Sequence, residues 1–459
     1  MLFNSLTFVL LHFVVLTLYW LSPRQGLRIV FLGLGSLVFY GWLYWPGIFF
    51  LLGVIAVNYF MGLQIEKTAS PKWLAIAVSL NLLNLCYFKY VEFLARNLAA
   101  LLELAHIDLA IPTPDYWLPL GISFITFQKI AYLVDIYKGQ IRAEKNFLRF
   151  TCFAAFYGQL IAGPIVRSHE FLPQLQTKRE FNVHSLKLGF FYFIMGVMMK
   201  VTVADTLAQF VEYGFGHVGT LSTNMAWLTL YAFATQILCD FWGYSTIALG
   251  CAYMLGIHLP INFNLPYSSA SLTEFWRRWH ITLSSWLRDY LYIPLGGNRT
   301  GGTYRNLIAT MTLGGLWHGA SWNFVLWGLL NGVWLAVERG FIKRGIVPPA
   351  GWWMHFFKVV LVFHGVCLLW VLFRAPSFDS ALLYYRHLLL PPYSLSSVPS
   401  TLLTLLVLFL LFQNRIGSQL IDDRFLRLSL PKQLAMTLVG LMLILAYSQA
   451  RLDFIYFVF

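Results

Sequence analysis

Apolar runs of spanning or near-spanning length recur eleven times along the 459 residues, at about 3–21, 27–44, 46–63, 73–88, 117–137, 187–207, 226–257, 306–337, 356–373, 399–412 and 433–450. Roughly 20 such residues cross a hydrocarbon core as a helix. A chain of this kind has few folds open to it. With no water in the bilayer, every backbone N–H and C=O must be satisfied internally, in helices or in a closed barrel. Alternating ten-residue strand patterns are absent, which argues against a barrel. The fold class expected is therefore all-α, a polytopic integral membrane protein with about 11 apolar spans. Charged residues make up only 11% against 59% hydrophobic, so two or three soluble domains are excluded. The surplus of 32 Lys and Arg over 19 Asp and Glu fits the basic bias of cytoplasmic loops. No nucleic-acid partner is expected.

Eleven runs need not be eleven crossings. Arg24 with Arg28, Lys67 with Lys72, and Lys138, Arg142, Lys145 and Arg149 lie on alternate sides of the early spans, which places those loops in the cytoplasm. The apolar segment 147–167 has basic residues at both ends (Lys145 and Arg149, then Arg167, Lys178 and Arg179). It reads as re-entrant, a backbone tolerated only where protein or a cavity surrounds it. The run 306–337 is bracketed the same way by Arg299 and Arg305 and by Arg339, Lys343 and Arg344. If both clusters are cytoplasmic, His318 sits near the apex of a re-entrant or broken helix pair; if one is external, 306–337 is a plain crossing. The N-terminus lacks a basic n-region and reads as a retained first span. Cys86, Cys152, Cys239, Cys251 and Cys367 all fall in apolar stretches without C-x-x-C spacing and read as packing residues.

His318 is the one titratable side chain in the interior of the apolar stretch 305–339, between Arg305 and Glu338. An ionisable group at membrane depth is costly when charged and tends to face a cavity or the bundle interior. Burial favours the neutral ring, which is able to accept a proton. That is the character of a general base, although the same position suits a histidine hydrogen-bonded in a packed bundle. Gly315 and Gly319 form a G-x-x-x-G around it, and Gly328 and Gly332 repeat the motif, letting helices approach closely; Gly314 and Gly315 together are a candidate break. Residues 259–299 differ from their surroundings, being too charged to span and punctuated by Pro260, Pro266 and Pro294. One amphipathic interfacial helix is predicted over 273–291. Its apolar stripe is Trp276, Trp279, Leu283, Trp286, Leu287 and Tyr290; Glu274, Arg277, Arg278, Ser285, Arg288 and Asp289 form the other face. Glu274 and Arg278 stand at ion-pair spacing, and His280 lies at the stripe's edge, a second site candidate. His12 and His364, in apolar spans without polar neighbours in sequence, read as structural. No zinc-type spacing suggests a metal, and no G-x-S-x-G elbow suggests a serine hydrolase. The loop GGNRTGGT at 296–303 lacks the P-loop Lys-Ser/Thr and reads as a turn or, beside Arg299 and Arg305, an anion site.

The pieces LPLGISFITFQ (118–128), FYGQLIAGPIVR (156–167), NFNLPY (262–267), FWRRWHITLSSWLRDYLYIPLGGNR (275–299) and GGLWHGASWNFVLWG (314–328), in that order, resemble the membrane-bound O-acyltransferase (MBOAT) family, in its alginate O-acetyltransferase subunit I branch. The C-terminal FIYFVF resembles that branch too. The resemblance implies an MBOAT fold with re-entrant and interfacial helices around a central tunnel: N-terminal helices over 1–116, a catalytic core over 117–340 and C-terminal helices over 341–459. It implies His318 as the catalytic base and His280 as the second polar position, there to orient or polarise the acyl group. Trp317, Ser321 and Asn323 are implied as lining residues, and Arg277, Arg278 and Arg288 as holders of the donor's phosphates. The expected activity is O-acetyl transfer from a cytoplasmic thioester, acetyl-CoA or another acyl thioester, across the bacterial inner membrane to an extracytoplasmic polysaccharide such as alginate or cellulose. No bound cofactor or metal is expected. A periplasmic SGNH-type acetyltransferase or another polysaccharide-modification subunit is the expected partner, since the chain carries no soluble hydrolase-like domain. Peptidoglycan O-acetylation and D-alanyl transfer to teichoic acid are the alternatives within the family; an acyl or lipid-linked sugar transporter is the alternative from another class.

Overall fold

The computed structural model describes residues 1, 3, 5–107, 117–160, 163–299, 301–346, 349, 351–390, 425 and 427–447, and every regular element among them is helical. Among the described residues five helical stretches are long and apolar enough to cross a membrane: Gly47–Thr68, Pro71–Leu104, Val183–Gly216, Trp322–Lys343 and Trp352–Arg374. Leu6–Leu21, Gln25–Gly41 and Leu430–Ala446 are shorter and apolar. The run at 399–412 and the C-terminal FIYFVF lie outside the described residues. The chain divides into two compact units.

The first unit comprises Met1–Leu186, Cys251–Leu259 and Gly319–Ser321. Its helices are α1 (Leu6–Leu21), α2 (Gln25–Gly41), α3 (Gly47–Thr68), α4 (Pro71–Leu104), α5 (Ile122–Tyr137), α6 (Phe147–Ala155), α7 (Tyr157–Leu160) and α8 (Ser168–Gln176). Pro71 opens α4, where its missing N–H needs no partner. Asn58 and Asn81 exchange amide hydrogen bonds of 2.8 and 3.2 Å between α3 and α4, polar glue of the kind apolar helices need in lipid. The 147–167 stretch contains α6 and α7, with Phe150–Leu160 buried. The buried Lys129 ammonium donates to Gln128 Oε1 at 2.6 Å. His12 Nδ1 meets the Tyr157 hydroxyl at 2.8 Å, a packing role.

The second unit comprises Lys187–Gly250, Pro260–His318 and Trp322–Phe459. Its helices are most of α9 (Val183–Met198), α10 (Asp205–Gly216), most of α11 (Thr223–Met254), α12 (Leu272–Arg278), α13 (Ile281–Leu287), α14 (Thr303–His318), α15 (Trp322–Lys343), α16 (Trp352–Arg374), α17 (Phe378–Leu389) and α18 (Leu430–Tyr447). A π-helical turn at Met199–Ala204 joins α9 to α10. There the buried Lys200 ammonium reaches both Asp205 and Asp240 at 2.7 Å. Gly196 and Gly243 let α9 and α11 touch, since a Cβ on either would come within 3 Å of the other's carbonyl oxygen.

Two expectations are corrected here. Gly314 and Gly315 do not break the helix beside His318; α14 runs through them and ends at the histidine. The 273–291 stretch is not one helix but α12, a left-handed residue, α13 and a π-helical turn at Arg288–Tyr292. Its predicted stripe is still largely turned inward, with Trp279, Leu283, Trp286 and Leu287 all buried. Hydrophobic periodicity reports burial, and the break keeps the buried face in phase.

Candidate active site

The run 306–337 folds as a hairpin of α14 and α15, and His318 is the last residue before its turn. Glycines set the closeness of the two arms. A Cβ on Gly315 would lie 2.2 Å from the Phe324 carbonyl oxygen, one on Gly328 2.3 Å from that of Met311, and one on Gly332 2.6 Å from the Ile308 Cα. The antiparallel backbones are therefore in direct contact, as small residues permit. His318 is 6% exposed. Its imidazole stands edge-to-face with Trp317, Trp327 and Phe373, ring centres 5.0, 5.3 and 5.2 Å away. Asn323, at the start of α15, donates to the Ala375 carbonyl at 3.0 Å and so ties the turn's far side to the end of α16.

His280 arrives differently. It has φ 42° and ψ 55°, a conformation that costs an L-residue roughly 1–2 kcal/mol and persists only where the surroundings over-determine it. Those surroundings are residues 262–264. Asn264 N–H donates to the Arg278 carbonyl and Ile281 N–H to that of Asn262, both at 2.9 Å. The Asn262 side chain completes the clamp: Oδ1 accepts from the Thr282 hydroxyl (2.7 Å) and N–H (3.3 Å) and lies 3.2 Å from His280 Nδ1. Its amide group donates to Ser245 Oγ at 3.2 Å. Phe241 stands edge-on to the imidazole at 4.6 Å. Burial pushes the ring down to about 3, so it is neutral at any physiological pH. The Trp317 indole is 6.5 Å from His280 and 5.0 Å from His318, so the two imidazoles share an aromatic neighbour.

A cavity of about 1040 Å³ is lined by residues from α12 to α16, without either histidine in its wall. Its cations are Arg277, Arg288, Arg339 and Lys358. The carboxylate in its wall, Glu338, is committed to the N-terminus of α12, accepting from Leu272 N–H (2.6 Å) and from the Thr273 N–H (3.1 Å) and hydroxyl (2.9 Å). The lining is thus an anion-attracting surface. The wall includes Ile281, next to His280, and Met311, two turns before His318 on the same face of α14. It also includes Trp276, whose ring is 5.7 Å from Trp327. One indole layer thus lies between Trp276 and the His318 imidazole.

Two buried histidines sharing an aromatic neighbour, on elements that also wall a basic cavity, are suited to activating a hydroxyl against an acyl group carried by an anionic donor. Comparison with known proteins decides the family. The profile of the MBOAT, membrane-bound O-acyltransferase family, matches residues 138–346. The chain is 40% identical over 393 residues to the "Probable alginate O-acetylase AlgI" of Azotobacter vinelandii, covering 83% of this chain and 76% of that one. The chain belongs to the membrane-bound O-acyltransferase family. It is 38% identical over 390 residues to the "Peptidoglycan O-acetyltransferase" of Helicobacter pylori, covering 77% of this chain and 72% of that one. It is 28% identical over 281 residues to the "Teichoic acid D-alanyltransferase" of Bacillus subtilis, covering 56% and 69%. It is therefore an O-acyltransferase and a multi-pass membrane protein.

The MBOAT residues expected from sequence do not all gather in one place. His318, Trp317, His280 and Asn323 are buried in the second unit. Arg277 and Arg288 line the cavity, while Arg278 pairs with Glu274 at 2.7 Å and is not among the lining residues. Ser321 belongs to the 319–321 turn, which groups with the first unit. Asn262, Thr282, Glu338, Arg339 and Lys358 were not singled out as site residues. Asn262 stood inside the NFNLPY motif, so its signal was present; Glu338 and Lys358 come from remote helices and carried none.

Proposed function

We propose that this O-acyltransferase is an O-acetyltransferase of the bacterial inner membrane, taking acetyl from a cytoplasmic thioester such as acetyl-CoA for O-acetylation of an extracytoplasmic polysaccharide. The observation that carries the reading is the cavity whose wall holds four cations and one carboxylate, Glu338, already committed to the N-terminus of α12, and whose lining includes Ile281, the neighbour of His280 in sequence, and Trp276, which packs on the Trp327 ring that His318 also touches. In this reading Arg277 and Arg288, joined by Arg339 and Lys358, attract the donor's phosphates. The acyl arm passes inward along Trp276 and Met311. His318 takes the proton of the acceptor hydroxyl as it attacks the thioester carbonyl, while His280, Trp317, Ser321 and Asn323 shape the site and Arg278 braces α12. The thiol leaves with the proton returned from the imidazolium, so the base is regenerated.

Relatives named for alginate and peptidoglycan at similar identity support a polysaccharide hydroxyl as the final acceptor. A periplasmic SGNH-type acetyltransferase that receives the acetyl group, eleven spans and a tunnel through the core complete the proposal. The test is polymer acetylation in cells carrying His318→Ala. Loss of acetyl with normal amounts of the variant in the membrane is expected. Unchanged acetylation would remove the enzyme reading of this site, leaving the transporter alternative to be tested by acyl-group flux in vesicles.

A further inference from the structure

The clamp around His280 fixes which ring nitrogen carries the proton. A backbone N–H can only donate, so the Thr282 N–H at 3.3 Å identifies the Asn262 atom facing it as the carbonyl Oδ1, and the amide nitrogen then faces Ser245 Oγ. An amide oxygen only accepts. His280 Nδ1, 3.2 Å from that oxygen, must therefore be the N–H of the neutral ring, and the lone pair is left on Nε2. We propose that Asn262 is a positioning residue that holds His280 in the Nδ1–H tautomer, so that Nε2 can act toward any group it meets only as a hydrogen-bond acceptor and does not polarise the acyl carbonyl.

An oxyanion forming on the thioester needs hydrogen-bond donors, and a lone pair pointed at it would repel it. Where substrate reaches the ring, Nε2 accepts from an N–H or O–H other than the hydroxyl whose proton His318 removes: an amide N–H of the donor's arm or a second hydroxyl of the acceptor. This role rests on the acyl-transfer reading above, but the tautomer does not. It also gives the left-handed backbone at His280 a purpose. One residue, Asn262, fixes the backbone through its carbonyl and the ring through its side chain.

The experiment is nitrogen-15 spectroscopy of histidine-labelled protein in detergent or nanodiscs, with the His280 signals identified by their loss in His280→Gln. The expected spectrum has protonated Nδ1 and bare Nε2; a protonated Nε2 overturns the proposal. In Asn262→Leu the signals are expected to shift toward a tautomer mixture, and an unchanged tautomer would show that Asn262 does not set it. If that variant does not accumulate, the wild-type spectrum decides alone. With an acetyl thioester as donor, Asn262→Leu should raise KM about tenfold, as the loss of one hydrogen bond to substrate does, with kcat retained. A fall in kcat at constant KM would place His280 on the developing charge and overturn the acceptor role. A protein inactive with every thioester but showing bare Nε2 would sink the acyl-transfer reading and leave the role of Asn262 standing.

Discussion

The two histidines reach the same aromatic neighbour by opposite routes. His318 is delivered by regular structure: a helix end, a hairpin turn and glycines that let two backbones touch, all within about thirty residues of sequence. His280 is delivered by irregular structure: a strained residue between two short helices, held by an asparagine and its backbone. The first ring is caged by aromatic faces and edges; the second is hydrogen-bonded into a polar network. A base that must gain and lose a proton gains from a site built for approach, whereas a group with a fixed hydrogen-bonding sense gains from a network that fixes it. The contrast implies that the two positions fail in different ways when altered.

The largest difference is expected from removal of the rings. His318→Ala should lower kcat by about 10²–10⁴-fold, the range for a positioned general base, with KM little changed; His280→Ala should act mainly on KM. Equal losses of kcat in purified enzyme would erase the distinction. Next, the hairpin can be pried open without touching either ring. Gly328→Leu forces side-chain atoms into the Met311 carbonyl, already 2.3 Å from where a Cβ would stand, and backbone cannot yield as a side chain does. Overpacking of this kind costs about 1–3 kcal/mol. Thermal denaturation in detergent should show a lower midpoint, and activity should fall with it, because the arms that place His318 have moved apart.

A third test sharpens the electrostatic side of the comparison. Burial pushes His280 from an ordinary value of 6.5 down to about 3, so an unfolded chain protonates this ring before the folded one does. Sign follows from that order. The ring costs the fold nothing above pH 6.5; below it stability is lost progressively as pH falls toward 3, the loss reaching about 2 kcal/mol by pH 5. His280→Gln should therefore flatten part of the acid loss of stability between pH 7 and 5. A curve parallel to wild type would mean that the ring is already charged in the fold. The same protonation order excludes His280 as the source of any acid limb in the rate profile near neutrality.

How legible each route was in the sequence follows from its range of interaction. The His318 hairpin stood as one of two readings because its signals are local: an apolar run, basic clusters at both ends and glycines at helical spacing; the position of its turn, four residues past the Gly314–Gly315 pair, was not legible. The break at His280 could not be read. Neither Trp279 nor His280 is a residue that ordinarily interrupts a helix, and the force that holds the turn comes from Asn262, eighteen positions upstream. Arg277 and Arg288 were visible because an amphipathic stripe turns charges outward whether or not the helix is continuous. Glu338 was invisible as a cap for α12 because it acts across 66 residues. The same distance hid the cavity's charge balance, which depends on that carboxylate being occupied.

Smaller effects separate cavity cations from structural ones. Arg277→Ala should raise KM for an anionic thioester several-fold, by about 1 kcal/mol, with the effect shrinking at high salt because the side chain is exposed, and Arg288→Ala should do so less, because Asp289 already holds its guanidinium at 2.7 and 3.2 Å. Arg278 offers the internal control. It lies beside them in sequence, but its guanidinium is engaged by Glu274 at 2.7 Å with both side chains 32% exposed, and an i,i+4 pair of this kind contributes only about 0.3–0.5 kcal/mol. Glu274→Gln removes the charge but keeps an oxygen to accept from the Ala270 N–H, and Ser271 Oγ still accepts from the backbone N–H of residue 274. Stability should therefore drop by no more than that pair, and KM should stay where it was. If releasing Arg278 in this way instead lowers KM for the thioester, a freed guanidinium has joined the donor site, and the boundary between bracing and binding on α12 lies one residue further along than the wild-type geometry puts it.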